Sequence, residues 1–303
     1  MFKIFHKYSY SQHSFVFVLM GISEHLRVLK FFFLTDLINL LEGDCMKTHF
    51  YWLGLLATLA CISASAADLD RLEVEKRLAN ADKAHPADLR RKDLTDLDLS
   101  GLDFKKADLW GSDLRRSNLS NSDLSGLNLD LSVLSKVNFS NANLSNTSIF
   151  GVHVGGANLS NANLSGSRFI GVMDRANLSH ANLSHALWGA DMKNQSMGLM
   201  RASLNNANLS GANLSYANFD RALMRYANFS GANLQNVVLF GVDLSGADFS
   251  GANLSGADLS GTTLEDTNFA GADLAGTRFA GIKDKSKLKG LSSAKHLDTA
   301  IID

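Results

Sequence analysis

Residues 230–234 read Ser-Gly-Ala-Asn-Leu, and residues 250–254 repeat the same five residues. Between residues 87 and 280 an apolar side chain, mostly Leu or Phe and called the centre below, recurs at fifth positions. This period fits neither an α-helix nor a flat strand. Each unit is too small to bury a core alone, so the units must stack on their neighbours, which predicts a solenoid.

The other positions of the unit separate into inward and outward ones. Two positions before each centre the residue is small and commonly Ala, which indicates a second inward position in a narrow coil. The remaining positions are mostly Asn, Asp, Ser, Gly and Arg, and therefore belong outside. The centres run without a slip from Leu89 to Phe169 and continue from Leu204 to Phe279.

This spacing resembles the pentapeptide repeat family, whose motif is Ala-(Asp/Asn)-Leu-x-x, and the resemblance covers residues 87–281. It implies a right-handed quadrilateral β-helix in which four pentapeptides make one coil. The sequence supports such a coil independently, because Phe229, Phe249 and Phe269 are spaced to stack as a core ladder on one inner face. We therefore expect an all-β solenoid of about nine to ten coils with short helical caps, roughly 45 Å long.

Both ends of such a rod need a cover, because open strand edges recruit other chains. Residues 67–86 are predicted to form an N-terminal capping helix that begins at Asp68, with apolar residues Leu69, Leu72, Val74 and Leu78. Residues 282–303 are predicted to form a basic, partly helical cap, with Lys283, Lys285, Lys287 and Lys289 alongside Leu288, Leu291, Leu297 and Ile301. Pairing of two chains through one end would give a homodimer.

Residues 46–66 have the parts of a secretory signal peptide: Lys47 near the start, an apolar stretch, and the small residues Ala-Ser-Ala at the end. Cleavage would leave Ala67 or Asp68 first. Because Met46 stands where such a signal begins, we interpret residues 1–45 as translated from a start codon chosen in error. The sequence therefore predicts a periplasmic or secreted protein without a membrane span in its mature chain.

Two alternatives concern the same region. Apolar stretches at residues 15–22 and 31–41 could associate with a membrane, although charged residues interrupt them. Cys61 could be a lipid-modified residue, although Thr58 stands where such a site prefers Leu. Since Cys45 is the other cysteine, the mature chain would contain none, which excludes disulfides and thiol catalysis.

The repeat is interrupted within residues 170–203, which we expect to form an irregular coil or loop inside a continuous rod. The interruption gathers unusual side chains that are candidates for contact with a partner: Trp188, Met192, Met197, Met200 and Arg201. Loops on solenoids often carry binding functions. The alternative is a tolerated insertion whose Met and Trp side chains fill an irregular core.

No spacing indicates a catalytic, cofactor or metal site. His180 and His185 are five apart, so they fall on different faces, and the residue twenty beyond His180 is Met200. Outward aspartates should stack in pairs such as Asp88 over Asp108, with nearby Arg and Lys residues to compensate their repulsion. We therefore predict no enzyme, no cofactor and no metal.

Composition limits the functional classes. The formal net charge of -1 does not favour direct binding to nucleic acid. The leading hypothesis is an exported, non-enzymatic scaffold that binds a protein partner of unknown identity. The alternative, implied by the family resemblance, is a DNA mimic that modulates DNA gyrase. Residues 226–277 carry six acids and no Lys or Arg, which would suit one acidic face of such a mimic.

Overall fold

The computed structural model of the chain describes residues 67–192, 200–282 and 287–301. They belong to one unit, Ser65–Asp303. The two predicted N-terminal segments, residues 1–45 and 46–66, lie outside the described residues, as does Met197.

Regular secondary structure is short in the described part of the chain. The elements are α1 (Arg71–Ala79), β1 (Ala87–Asp88), β2 (Ala107–Asp108), β3 (Ser148–His153), β4 (Arg168–Val172) and two 3-10 helices (Leu291–Ser293 and Leu297–Thr299). Strand β1 pairs with β2, and β3 with β4, in parallel. Single parallel bridges join the coils elsewhere, because each side of a coil is only a few residues long before the next turn.

The chain forms a right-handed quadrilateral β-helix, which confirms the predicted fold class. In regular coils, residues twenty apart pair in parallel, as Asn118 does with Asn138. The residue before each centre points outward, and these residues form four columns along the rod. We name the four flat sides by the first residue of each column: face A begins at Asp88, face B at Asp93, face C at Asp98 and face D at Asp103.

The centres fill the interior, and those between Leu89 and Phe279 are at most 4% exposed. The rings of Phe229 and Phe249 stack at 4.7 Å and 3°, and those of Phe249 and Phe269 at 5.4 Å and 6°. This core ladder follows the twenty-residue coil. Each buried Leu or Phe contributes about 1.5–3 kcal/mol to folding.

The corners explain the recurrent Gly and Asn. The second residue after most centres is left-handed, for example Asn236 (φ 53°) and Gly251 (φ 64°). The N–H of the next residue then donates back to the carbonyl of the centre, as Ala252 does to Phe249 at 3.0 Å. A positive φ at this position is the requirement of a type II turn, which Gly and Asn meet at low cost.

Asparagine side chains on faces C and D form ladders along the rod, which the sequence analysis did not foresee. The Asn138 Nδ2 donates to Asn118 Oδ1 at 2.9 Å, and the Asn158 Nδ2 donates to Asn138 Oδ1 at 3.1 Å. The same Asn138 Oδ1 also accepts the backbone N–H of Ser140 at 3.2 Å. Each amide therefore joins neighbouring coils and stabilises its own corner.

The N-terminal helix α1 covers the first coil. Asp70 caps it by accepting the Glu73 N–H at 2.8 Å. Val74 is fully buried, and Leu69 and Leu78 pack partly against the core. The prediction that Leu72 contributes to the cover is wrong, since its side chain is 73% exposed because it lies on the outer side of the helix.

Arginine side chains of α1 occupy the strand edge of the first coil. Arg71 donates to the carbonyl oxygens of Asp98 and Ser100 at 3.0 and 3.2 Å, and Arg77 donates to that of Asp88 at 2.9 Å. Asp68 supplies a backbone N–H to the Asp93 carbonyl at 2.7 Å. These acceptors are therefore satisfied without another strand, which removes a template for edge pairing.

The C-terminal segment continues the coil irregularly. Lys289, Lys295 and Ile301 bridge Asn268, Asp273 and Arg278, on faces C, D and A. The described helical structure there is of the 3-10 type. Leu288, Leu291 and Leu297 pack partly against the core, but Ile301 is 46% exposed, so its predicted covering role is wrong. Lys283 and Lys285 lie outside the described residues.

The interruption in the repeat has two parts, and the rod continues on both sides. Asn158 pairs with Asn177, nineteen residues on, so one residue is missing from that coil. Gly171 stands at this deletion, where a Cβ would lie 2.3 Å from the Val152 carbonyl oxygen. Val172 then pairs with Ser203, thirty-one residues on, so eleven residues are added to the next coil. Met173, which the sequence analysis did not assign as a centre, is 1% exposed.

Candidate interaction surface

Faces C and D keep one chemistry along the rod, whereas faces A and B do not. Between the caps, the columns of faces C and D contain Asp or Asn in every coil. The middle of the face A column contains Ser148, Arg168, Leu187, Asn218 and Val238. The middle of the face B column contains Val133, His153, Val172, Ser203 and Leu223. The mixed columns of faces A and B therefore do not form the continuous Asn ladders seen on faces C and D.

The corner where the chain passes from face A to face B, here the A/B corner, is apolar in several coils. The residue that follows the centre there includes Trp110, Phe150, Ile170 and Phe240. At the diagonally opposite corner, between faces C and D, the same position holds Ser120, Ser140, Ser160, Ser179, Ser210, Ser230 and Ser250. The two long edges of the rod therefore differ in polarity.

Exposed apolar side chains concentrate on this side. Of nine exposed large apolar side chains in the described residues, six lie on face A, at the A/B corner or beside it. Ile301 stands apart at the C-terminal end, and the other five lie in neighbouring coils: Leu131, Leu187, Met192, Val238 and Phe240. We call these five, together with the half-buried Phe150 and Ile170, the apolar edge. The edge spans five coil steps, or about 24 Å. Large exposed apolar patches are a common feature of interaction sites, which makes the apolar edge the candidate interaction surface.

Strands β3 and β4 create the middle of the apolar edge by running across the corner. Their pairing begins at Ser148 with Arg168 and ends at His153 with Val172, with a bulge between Phe150 and Val152. The Asp130 carboxylate supports this path by accepting the Ser148 hydroxyl at 2.8 Å and the Phe150 N–H at 2.9 Å. Phe150 and Ile170 are therefore presented on a wide bend.

The described base of the eleven-residue insertion lies at the same corner. The Asp191 N–H donates to the Met200 carbonyl at 2.9 Å in an antiparallel bridge that closes the base of the insertion. The Ala190 N–H donates to the Asp220 carbonyl at 2.8 Å, which fixes this base to the next coil. Met192 projects from the base and is 46% exposed.

A groove of about 490 Å³ lies between face A and the base of the insertion. Its floor and walls include Phe150, Arg168, Ile170, Leu187, Met192 and Asp220. The volume falls within the range of about 300–1,000 Å³ that is common for ligand sites. Because the groove opens onto the apolar edge, an occupant can extend beyond it along the rod.

The groove has a paired carboxylate, Asp220, at one end and, within the described part of the chain, an unpaired guanidinium, Arg168, at the other. Asp220 Oδ2 pairs with Arg221 Nη1 at 2.8 Å, and Asp220 Oδ1 is buried and accepts no hydrogen bond from the described residues. The Arg221 guanidinium also lies 5.4 Å from the Phe240 ring centroid and 3.4 Å from the Met192 sulfur. Arg168 is exposed and forms no ion pair with any residue that the structure describes.

A family model described as pentapeptide repeats matches eight copies in this chain, at residues 112–149, 151–194, 202–241 and 243–281. The matched residues make up more than half of the sequence. The chain belongs to the pentapeptide repeat family. Proteins of this family are generally structural or interaction proteins without enzymatic activity. The match does not include residues 195–201, which lie within the insertion.

Solved pentapeptide repeat proteins resemble this chain. HetL, involved in heterocyst differentiation regulation in Nostoc sp. strain PCC 7120, is 26% identical over 77% of this chain and 97% of its own, with a TM-score of 0.30. QnrB1, a plasmid-mediated fluoroquinolone resistance protein, is 22% identical over 69% and 92%, with a TM-score of 0.23. Rfr23 from Cyanothece 51142 is 26% identical over 44% and 91%, with a TM-score of 0.20. No curated protein matches the chain.

The structure corrects the role of Trp188 in this pentapeptide repeat protein. Its side chain is fully buried as a centre, between Phe169 at 4.9 Å and Phe219 at 5.5 Å, so it is not a contact residue. Its Nε1 donates to Ser167 Oγ at 3.0 Å. Among the other candidates Met192 belongs to the apolar edge, whereas Met200 and Arg201 are half-buried at the base of the insertion.

The acids of residues 226–277 do not form one acidic face on the pentapeptide rod. Their four column aspartates fall on four different faces: Asp258 on A, Asp243 on B, Asp248 on C and Asp273 on D. Several acids are also paired: Asp243 with Arg225, Glu265 with Lys287, Asp266 with Lys289 and Asp273 with His296. Hydrogen bonds from Lys289 and His296 lower the pKa values of Asp266 and Asp273. The expectation of a single acidic face is therefore wrong.

His180 and His185 are exposed and lie at corners of the coil. His180 lies beneath Gly211, and His185 stacks on Tyr216 at 5.3 Å and 6°. The predicted position of Met200 above His180 is wrong, because the insertion changes the spacing from twenty to thirty-one. In the described ranges no three His, Cys, Asp or Glu side chains are grouped to hold a metal ion.

On the first coils, an Arg or Lys side chain lies within ion-pair distance of both carboxylates of a stacked aspartate pair. Arg90 Nε lies 3.1 Å from Asp88 and 3.6 Å from Asp108. Lys105 Nζ lies 3.3 Å from both Asp103 and Asp123. Each cation therefore bridges two coils and reduces the repulsion between stacked carboxylates.

Proposed function

We propose that this pentapeptide repeat protein is a non-enzymatic scaffold that binds a protein partner through the apolar edge. One observation carries the proposal: exposed apolar side chains collect along face A and the A/B corner, while the columns of faces C and D remain Asp and Asn. The rigid coils hold these side chains at a spacing of about 4.8 Å. A partner that covers them removes apolar surface from water, which favours association.

The DNA-mimic alternative has less support, because mimicry needs a continuous array of negative charge. The aspartates are distributed over four faces, and several are paired with cations. The groove beside the apolar edge is lined by Arg168 and by Asp220, whose charge Arg221 balances, and these groups do not resemble a row of phosphates. We therefore favour recognition of a protein by apolar contact.

Cross-linking along the two edges tests the proposal. A photo-reactive phenylalanine analogue at Phe240, on the apolar edge, is compared in intact cells with the same analogue at Ser250, at the opposite corner ten residues on. We expect a discrete cross-linked protein from position 240 and none from 250. Leu187→Asp should abolish that cross-link, because it places a charge in the covered surface two coils away.

The matched control for this change is Leu72→Asp, which also alters an exposed leucine but on α1, and it should leave the cross-link intact. Equal cross-linking from positions 240 and 250, or persistence in the Leu187→Asp protein, would contradict the proposal. Circular dichroism of each variant shows that the coils are unchanged.

We also propose that the protein works outside the cytoplasm. The signal features of residues 46–66 support export. Within the described residues, no helix has the length and apolarity to cross a membrane. Mass spectrometry of fractionated cells should find the protein in the envelope or medium, beginning at Ala67 or Asp68. Cytoplasmic recovery with peptides from residues 1–45 would overturn this proposal.

A further inference from the structure

We propose that the groove beside the insertion binds a peptide segment of the partner that carries apolar side chains and one acidic side chain, with Arg168 as the residue that recognises the acid. The inference rests on the proposed function, since it names the chemistry of the partner at the apolar edge. Its support comes from the charge at Arg168, the acidic residues at the other end of the groove and the shape of the groove.

Arg168 is placed to select a carboxylate. It occupies the outward position of face A next to Leu187, and Phe150 and Ile170 line the same groove. In the described part of the chain it has no acidic partner, whereas Arg90, Arg115, Arg116, Arg221 and Arg225 each have one. A guanidinium forms two parallel hydrogen bonds with a carboxylate. Apolar contact that excludes water from this pair strengthens it.

The opposite end of the groove is lined by Asp220 and Asp191. Asp220 lies two coils beyond Arg168, about 10 Å along the rod. Its charge is balanced by Arg221, whose Nη1 lies 2.8 Å from Asp220 Oδ2. Arg168 is the cationic side chain among the described residues that line the groove, so an acidic group of the occupant is directed toward Arg168.

Shape favours a peptide over a small molecule. The groove opens onto an apolar edge of about 24 Å, which corresponds to about seven residues of extended chain. Leu187 at 55% exposure and Met192 at 46% provide apolar contact near the groove, and Phe240 continues it toward the C-terminal coils. A segment of protein can occupy the groove and follow the edge at the same time.

Selection from a phage-displayed library of random twelve-residue peptides tests the inference on the purified full chain. We expect enriched peptides to combine Asp or Glu with apolar neighbours. The best peptide, synthesised with a fluorophore, should bind the Arg168→Glu protein about tenfold or more weakly, because like charges across an interface are unfavourable. Exchanging its acid for Lys should restore binding to the Arg168→Glu protein, and raising salt should weaken the original pair.

Arg278→Glu is the matched control, because Arg278 is also exposed at the outward position of face A and has no ion pair among the described residues. It should leave peptide binding unchanged. Phage selection overturns the inference if the enriched peptides are basic, purely apolar or otherwise without Asp and Glu, or if they are enriched equally on the Leu187→Asp protein. The binding measurement overturns it if the best peptide binds the wild-type and Arg168→Glu proteins equally.

The two proposals fail separately. In one outcome the cross-link from position 240 depends on Leu187, but the selected peptides bind the wild-type and Arg168→Glu proteins equally. The apolar edge then binds a partner, and recognition of an acidic side chain by Arg168 is wrong. If no cross-link forms at position 240, the scaffold function itself fails. Arg168→Gln, which removes the charge and keeps most of the side-chain length, should bind between the wild-type and Arg168→Glu proteins.

Discussion

Phe249→Asp is expected to unfold the C-terminal coils. Phe249 is fully buried between the rings of Phe229 and Phe269, so the change removes two stacking contacts. Truncating a buried Phe costs about 3–5 kcal/mol, and an unpaired buried carboxylate adds several more. The sum approaches the whole stability of a typical domain, which is about 5–15 kcal/mol.

Limited proteolysis with mass spectrometry measures this effect locally. Because each coil contacts only its neighbours, the cuts should begin in the coils around Phe249 while the N-terminal coils stay protected. Phe249→Leu is the control, since Leu is the commonest centre of the repeat and should cost far less. A Phe249→Asp protein as resistant as the wild type would show that this ladder does not hold the coils together.

Trp188→Ala should destabilise the coil that supports the insertion by about 3–5 kcal/mol. The change leaves a cavity between Phe169 and Phe219 and removes the hydrogen bond from Nε1 to Ser167 Oγ. Urea unfolding measures the loss. Trp188→Phe keeps an aromatic ring in the core and loses the hydrogen bond, so it should recover most of the stability.

The same variants separate a core role from a contact role for Trp188. If Trp188→Ala unfolds at the same urea concentration as the wild type but loses the cross-link from position 240, then Trp188 contacts the partner and its assignment to the core is incorrect. If stability falls and Trp188→Phe keeps the cross-link, the core role stands.

Much of the fold could be predicted because the same pattern of inward and outward residues recurs in almost every unit of the repeat. An apolar residue at every fifth position has to point inward in each coil, so Leu89 and Phe279 could be assigned to the core by the same rule. The left-handed corners follow from Gly and Asn at one position of the unit, since these residues adopt a positive φ at low cost. Local chemistry therefore determines most of the coil.

The prediction failed where spacing changes. Met173 was missed as a centre because one residue is deleted before it, and Met200 was placed above His180 because the insertion hides the true spacing of thirty-one. Trp188 was named as a contact candidate, with filling of an irregular core as the alternative. The alternative holds for Trp188, because its buried side chain fills the core where the coil is irregular.

The apolar edge has a signal in the sequence that was not used. Trp110, Phe150, Ile170 and Phe240 each follow a centre at a position where Ser is common in other units. Assigning every unit to one of four corners would have grouped them. A count in steps of twenty assigns the corners correctly only up to the interruption, however. Placing Phe240 at the same corner as the others requires the pairing of the coils across the insertion.

The sequence by itself determined the β-helix, the inward and outward positions and the core ladder, because these depend on interactions that repeat every five or twenty residues. The tertiary structure decided which faces carry the apolar edge, that the acids are spread over four faces, and that Arg168, Leu187 and Asp220 line one groove. The physical reason is register. A deletion of one residue and an insertion of eleven change which side chains lie above one another, and only the pairing of the coils fixes that.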